Sequence, residues 1–101
     1  MPSGGVAAHP KGYAQYSSLG SAINLNTTPT VGTTLPDGSM VAELVAENQD
    51  LRWRDDGTAP TAAVGMPLFK GVPYTYAGDL NKLQVIETAG GGKLNVVYYS
   101  I

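Results

Sequence analysis

From Tyr13 onward, short apolar stretches alternate with turn-forming sequences. Within the stretches, apolar and polar residues take turns, which is the period-2 pattern of a strand with one buried face. The breaks contain Gly, Pro, Asn and Asp, which favour tight turns. The segment 40–51, with its helix-forming Glu and Ala, leaves a helix open as an alternative. Eight strands are predicted, at residues 14–18, 21–25, 39–47, 50–55, 66–70, 73–77, 82–88 and 93–100.

A first β-hairpin is predicted around the loop 48–49. Its register sets Leu44 opposite Trp53, and Glu43 opposite Arg54 as a cross-strand pair of opposite charges. Such a pair would fix the register more than it would add stability. The apolar face of this hairpin consists of Met40, Ala42, Leu44, Ala46, Leu51 and Trp53.

A second hairpin is predicted around the glycine-rich loop 89–92 near the end of the sequence. It sets Leu83 opposite Tyr98 and Val85 opposite Val96. Glycine tolerates the positive φ angles that tight loops require. The last predicted strand is apolar on both faces, because the run 97–99 is Val-Tyr-Tyr. One face would then be covered by the domain itself and the other by a second body, for which a partner subunit is one candidate.

The number of short strands predicts the architecture. Six to eight antiparallel strands in about ninety residues cannot all bury a face in one flat sheet, so two packed sheets or a barrel are required. We expect an all-β fold, a compact and jelly-roll-like antiparallel β-sandwich over residues 13–101. Residues 1–12 contain three Gly and two Pro without periodicity. They are predicted to be a flexible N-terminal arm, either disordered or ordered against a neighbouring subunit.

Composition narrows the range of partners. The chain has 101 residues, 43% hydrophobic and 14% charged, which fits one domain with a packed core. Its six Lys and Arg are scattered and its net charge is −2, so nucleic-acid binding is not expected. No apolar run approaches the length that spans a bilayer, and the first residues lack the pattern of a signal peptide. An intracellular product that does not bind membranes is expected.

The sequence offers few groups for catalysis. It has no cysteine, and its single histidine, His9, lies in the predicted arm, where a catalytic histidine would lack a fixed setting. The paired acids Asp55 and Asp56 precede a glycine and are predicted to form a turn; a metal site or an acid–base pair is the alternative. We expect no enzyme activity, no cofactor and no metal.

Six residues are candidates for contacts with a partner. The two arginines flank Trp53 and point away from it, whereas the tyrosines and the apolar residues of the last strand can act as interface anchors. Trp53 itself is predicted to anchor the core, with a stacking platform for a ligand and an interface hot spot as alternatives. The candidates are Arg52, Arg54, Tyr74, Tyr76, Val97 and Tyr99.

One stretch resembles a known family. The run Arg-Trp-Arg-Asp-Asp-Gly-Thr-Ala-Pro-Thr-Ala-Ala-Val-Gly at 52–65 is similar to a segment of small structural proteins encoded among the virion genes of tailed bacteriophages. The similarity starts near 10–13 and continues through 71–80 and 94–99, so it covers most of the chain. It implies a β-sandwich that decorates or cements a capsid, and it supplies no catalytic residues.

The resemblance also implies where the protein acts. We expect a homodimer or homotrimer that binds the major capsid protein or another virion protein, in virions assembled in the bacterial host cytoplasm. A tail, baseplate or fibre module is the first alternative. A carbohydrate-binding module that stacks sugars on Trp53, Tyr74 or Tyr76 is the second.

Overall fold

The structure, a computed structural model, describes residues 8–28 and 30–101. These residues contain nine strands and no helix. A search of these residues for a helix long and apolar enough to cross a membrane finds none. Eight strands overlap the predicted ones, and the additional strand β3 lies in a segment expected to be a loop. The strands are β1 (His9–Tyr16), β2 (Ile23–Asn24), β3 (Val31–Gly32), β4 (Val41–Glu47), β5 (Leu51–Arg54), β6 (Met66–Leu68), β7 (Tyr74–Tyr76), β8 (Gln84–Glu87) and β9 (Lys93–Ser100).

The strands form two antiparallel sheets. The five-stranded sheet has the order β3-β1-β9-β4-β7, and the four-stranded sheet has the order β2-β8-β5-β6. Buried residues alternate along the long strands and face the other sheet, so one core lies between the two layers. The predicted all-β sandwich is therefore confirmed, and the strand order is consistent with a jelly roll.

The first predicted hairpin is wrong, because β4 and β5 belong to different sheets. Leu44 pairs with Val96, and Trp53 pairs with Val85. Alternation correctly assigned Leu44 and Trp53 to the buried face, but the two side chains approach from opposite sheets instead of lying side by side. The predicted pair of Glu43 with Arg54 therefore cannot form. The helix left open for residues 40–51 is also absent, and Met40 lies exposed before the start of β4.

The second predicted hairpin is wrong for the same reason. Val85 on β8 pairs with Ile23, and Val96 on β9 pairs with Ala14. The glycine-rich segment therefore carries the chain across the core from one sheet to the other. Both sheets present apolar residues to the same core, so hydrophobic alternation is satisfied equally well by a crossing and by a hairpin.

Four short connections between the sheets meet at one end of the sandwich. They join β1 to β2, β4 to β5, β6 to β7 and β8 to β9. Polar groups link neighbouring connections: the Asn48 side-chain amide donates to the carbonyl of Gly91 at 3.2 Å, and that of Gln49 donates to Gly90 at 3.1 Å. The backbone N–H of Thr88 donates to the carbonyl of Asp50 at 3.1 Å. These bonds satisfy backbone groups that the crossings remove from the sheets.

The first strand begins earlier than predicted. His9 pairs with Ser100 and Pro10 pairs with Tyr99, with a register shift before Gly12. Residues 9–12, predicted to belong to the arm, are thus part of the five-stranded sheet. The length of β9 explains the difference, since its last residues would otherwise leave backbone groups unpaired along that edge. Residues 1–7 of the predicted arm lie outside the described residues.

Two tyrosine hydroxyls are satisfied within the core. Tyr16 Oη donates to the carbonyl of Leu25 at 2.7 Å and lies 2.6 Å from Tyr98 Oη. The Tyr16 hydroxyl has one proton, which it donates to Leu25, so the Tyr98 hydroxyl is the donor in the bond between the two tyrosines. Every buried side-chain polar atom of the described residues has a partner. The core consists of Ala14, Tyr16, Leu19, Ile23, Leu25, Ala42, Leu44, Ala46, Leu51, Trp53, Leu68, Tyr76, Leu80, Leu83, Val85, Leu94, Val96 and Tyr98.

Candidate functional site

The six predicted contact residues lie in three different places, and one of them, Tyr76, is buried in the core. Two are on the outer face of the five-stranded sheet, two on the outer face of the four-stranded sheet, and two on the edge strand β7. The structure therefore does not assemble them into one site. Val97 and Tyr99 are the pair on the five-stranded sheet, Arg52 and Arg54 the pair on the four-stranded sheet, and Tyr74 and Tyr76 the pair on β7.

The outer face of the five-stranded sheet carries apolar side chains on its central strands. Val97 on β9 is flanked by Tyr13 on β1 and Glu43 on β4, and Tyr99 is flanked by Val41. Tyr13 is exposed, whereas the other four residues are half-buried by neighbours within the same chain. The predicted second apolar face of the last strand is thus open to solvent in the single chain. We call this surface, which consists of Tyr13, Gln15, Val41, Glu43, Val45, Asn95, Val97 and Tyr99, the outer face.

Hydrogen bonds hold the polar side chains of the outer face in place. Asn95 Oδ1 accepts from the Tyr13 hydroxyl at 2.8 Å and from Gln15 Nε2 at 3.0 Å. Asn95 Nδ2 donates to Glu47 Oε1 at 3.0 Å. Side chains that are already ordered lose less conformational entropy when a partner covers them. The outer face is thus suited to contact with another protein surface.

Arg52 supports a loop of its own chain. Its Nε donates to the carbonyl of Ala62 at 3.1 Å, and its Nη1 donates to that of Gly65 at 2.9 Å. The loop approaches closely at Gly65, where φ is 149° and a Cβ atom would lie 3.1 Å from the Cβ of Arg52. The guanidinium therefore fixes the loop 55–65 against β5 with two of its five N–H donors.

Arg54 forms the one ion pair found among the described residues. Its Nη2 lies 2.6 Å from Asp56 Oδ2, and its Nε donates to Asp56 Oδ1 at 3.1 Å. The hydrogen bonds from Arg54 lower the pKa of the Asp56 carboxyl below its ordinary value. Both groups are exposed to solvent, so the pair shapes the bend 55–58 more than it stabilises the fold.

The two adjacent acids have separate partners. Asp56 accepts from Arg54, whereas Asp55 Oδ2 accepts from the Tyr76 hydroxyl at 2.6 Å. No group of three or more acidic, histidine or cysteine side chains suited to a metal ion occurs in the described part of the chain. The arrangement favours the predicted turn over a metal site or an acid–base pair.

Trp53 forms an aromatic cluster with the two tyrosines of β7. Its ring centroid lies 5.9 Å from that of Tyr74 and 5.3 Å from that of Tyr76, the latter in an edge-to-face arrangement. Trp53 is 9% exposed and Tyr76 is 3% exposed, which favours the predicted core anchor over a stacking platform. Only Tyr74, at 41%, offers its ring to solvent.

An open recess lies beside Trp53. Its volume is about 450 Å³, and the loop 55–65 and the start of β6 form its walls. Arg54 of its lining was predicted as a contact residue, whereas Val64 and Met66 were not. The concentration of apolar residues among Gly and Pro in the segment 64–74 was the available signal. The lining residues are Trp53, Arg54, Asp55, Asp56, Val64, Gly65 and Met66.

Stability at alkaline pH follows from three tyrosines, Tyr16, Tyr76 and Tyr98. Burial raises the pKa of each hydroxyl above its ordinary value of about 10, since the charged tyrosinate is poorly solvated there. In Tyr76 the neighbouring Asp55 carboxylate adds to the shift in pKa. A raised pKa in the folded state contributes stability that is complete below the unfolded pKa and is lost as the pH rises above it.

We therefore expect the free energy of unfolding to fall steeply above about pH 10. Near-ultraviolet absorbance of tyrosinate, recorded with circular dichroism across an alkaline titration, measures this directly. Ionisation of these three hydroxyls should coincide with loss of the β-sheet signal. Complete titration of all six tyrosines in a folded chain would contradict it.

Comparisons of this chain with models of known protein families, with curated proteins and with solved structures find no match. The surfaces described above therefore remain as the basis for a proposal about function.

Proposed function

We propose that this protein is a non-enzymatic structural protein of a phage virion. As a capsid decoration or cement protein, it binds the assembled shell as a symmetric oligomer and stabilises it. The observation that carries the proposal is the outer face of the five-stranded sheet, where an apolar centre lies among polar side chains held by mutual hydrogen bonds. The resemblance around residues 52–65 supports the same assignment.

The chemistry of the outer face suits repeated contact with a shell. Protein interfaces combine an apolar centre with a polar rim, and here Val41, Val97 and Tyr99 lie beside Asn95 and Glu43. A single copy needs only a moderate contact area, because an oligomer that binds several symmetry-related sites gains affinity from simultaneous contacts. The half-buried valines would become fully buried on binding, and this transfer of apolar surface from water would drive it.

A charged residue placed on the outer face should prevent shell binding. We expect Val97→Glu to weaken binding about tenfold or more, since a carboxylate would be desolvated against the shell without a partner. Co-sedimentation with shells that lack the protein measures binding, and the heat tolerance of the shells measures stabilisation. Tyr13→Glu, at an exposed position beside Val97, tests the same surface with little risk to folding.

The matched control is Ile86→Glu. Ile86 is half-buried on the outer face of the four-stranded sheet, so the change is chemically similar but lies on the other side of the molecule. It should leave shell binding unaltered. Wild-type protein that fails to co-sediment with shells would overturn the proposal. Antibody labelling at the tail instead of over the head would favour the tail, baseplate or fibre module.

A further inference from the structure

The core of the sandwich is closed on one lateral side and open on the other. On the side of β2 and β3, Leu25 is buried and Leu35 packs against the core, with the Leu35 N–H donating to the Leu25 carbonyl at 3.1 Å. On the side of β6 and β7, the Trp53 ring packs against Tyr74 and Tyr76, but other inward-facing surface stays exposed.

Two residues on the inner faces of their sheets have exposed side chains at this opening. Met66 is paired with the buried Trp53 and Tyr74 with the buried Leu44, so both lie on the inner faces of their sheets. Yet Met66 is 55% exposed and Tyr74 is 41% exposed. Inner-face residues of a sandwich are normally covered by the opposite sheet. The recess beside Trp53 adjoins Met66.

The opening forms one end of a larger apolar surface. Five of the large apolar side chains that are exposed in the described part of the chain lie within the segment 64–74. The others are spread over the rest of the described chain. Two of them lie on the connection that joins β6 to β7. We call this surface the open edge, and it consists of Val64, Met66, Phe69, Val72 and Tyr74.

We propose that the open edge is a homodimer interface, in which a second copy of this chain packs around a two-fold axis. A two-fold interface uses the same surface on both copies, which must therefore be self-complementary. The open edge meets this requirement, because it adjoins a recess lined in part by Val64 and Met66 and also carries exposed side chains such as Phe69 and Val72. The exposed side chains of each copy fill the recess of the other.

The area of the open edge matches what a dimer requires. Five large side chains, each about half exposed, offer roughly 500 Å² of apolar surface per copy. A standard interface buries about 800 Å² per partner, of which somewhat more than half is non-polar. The open edge thus supplies the apolar part of such an interface. It also lies near the upper end of apolar patch sizes found on monomers.

The two copies meet through side chains and do not extend a sheet. Pro67 occupies the middle of β6 and has no N–H to donate to an added strand, and Pro73 precedes β7. These prolines make strand addition at either edge unfavourable. Packing of apolar side chains is the mode of association that remains.

The dimer would supply the symmetric oligomer of the proposed function, but it is argued from a different surface and tested on the free protein. Its test is the mass of the full chain by light scattering up to about 100 µM, a concentration at which a micromolar Kd gives mostly dimer. The wild type should reach twice the chain mass of 10.5 kDa. A chain that stays at the monomer mass at every concentration would overturn the dimer while leaving shell binding open.

Paired variants locate the interface. Met66→Glu should weaken dimerisation about 100-fold, because the dimer would bury an unpaired carboxylate. Val31→Glu is the control: Val31 is 68% exposed on β3, the edge strand of the five-stranded sheet that lies opposite β7. It should leave the dimer intact, and thermal unfolding should show both variants folded. Equal loss of dimer in the two variants, or loss in Val31→Glu alone, would overturn the assignment.

Cross-linking gives a second measurement that does not depend on weakening the interface. The chain has no cysteine, so Met66→Cys introduces a single thiol. A short bis-maleimide should join two copies of Met66→Cys much faster than two copies of Val31→Cys. Equal rates for the two thiols would contradict a two-fold axis near the open edge.

Discussion

Replacing Trp53 with alanine is expected to lower the free energy of unfolding by about 3–5 kcal/mol. Trp53 is the largest side chain of the cluster at the open edge, and its ring contacts Tyr74 and Tyr76 from the opposite sheet. Alanine would remove both aromatic contacts and widen the recess into the core. Because a domain of this size is stable by only about 5–15 kcal/mol, much of the fold's stability would be lost.

Urea unfolding of Trp53→Ala, Trp53→Phe and Tyr74→Ala measures the effect. Phenylalanine keeps part of the ring contacts and should cost less, and Tyr74→Ala should cost about 1 kcal/mol because Tyr74 is already 41% exposed. Each variant is measured at two protein concentrations, since self-association adds stability that depends on concentration. A Trp53→Ala protein as stable as the wild type would favour a ligand platform over a core anchor.

Removing the Tyr16 hydroxyl is expected to cost more than removing the Tyr98 hydroxyl, although the two are bonded to each other. In Tyr16→Phe the Tyr98 hydroxyl stays buried without an acceptor, which should cost about 2–4 kcal/mol including the lost bond. The Leu25 carbonyl is less affected, because it still accepts from the Leu35 N–H. In Tyr98→Phe the Tyr16 hydroxyl keeps Leu25 as its acceptor, so the cost should be about 1 kcal/mol.

The double variant tests the direction of the chain of hydrogen bonds. Tyr16→Phe with Tyr98→Phe contains no unpaired hydroxyl, so it should be more stable than Tyr16→Phe alone. A double-mutant cycle on chemical unfolding gives the coupling, which we expect to be about 1–2 kcal/mol. Strictly additive single changes, or a larger cost for Tyr98→Phe, would show that the bonds are arranged differently.

Alternation predicted the faces of the strands but not their partners. Leu44 and Trp53 were assigned to the apolar face of the first hairpin, and both are buried. Their pairing was wrong because a side chain's face follows from period 2 alone, whereas its neighbour depends on which sheet the strand joins. The connections 48–50 and 88–92 are short enough for either a hairpin or a crossing.

The candidate surfaces were predicted unevenly for a similar reason. Val97 and Tyr99 were recognisable because a strand apolar on both faces needs two covers. Of the open edge, only Tyr74 was predicted as a contact residue, since the exposure of an inward-facing residue such as Met66 depends on how the sheet edges pack and not on alternation. Arg52 was predicted to contact a partner, and two of its donors bind Ala62 and Gly65 of the same chain.

The central place of β9 in the five-stranded sheet governs how the chain can acquire its structure during synthesis. β9 lies between β1 and β4, yet it is the last of these strands to leave the ribosome. Until residues 93–100 appear, β1 and β4 have no common neighbour, and their inner edges are open to mispairing. Joining β1 to β9 also closes most of the chain into one loop, so native pairing depends on contacts distant in sequence and is expected to be slow. The protein must therefore remain soluble as an incomplete chain for longer than a domain built from local hairpins would.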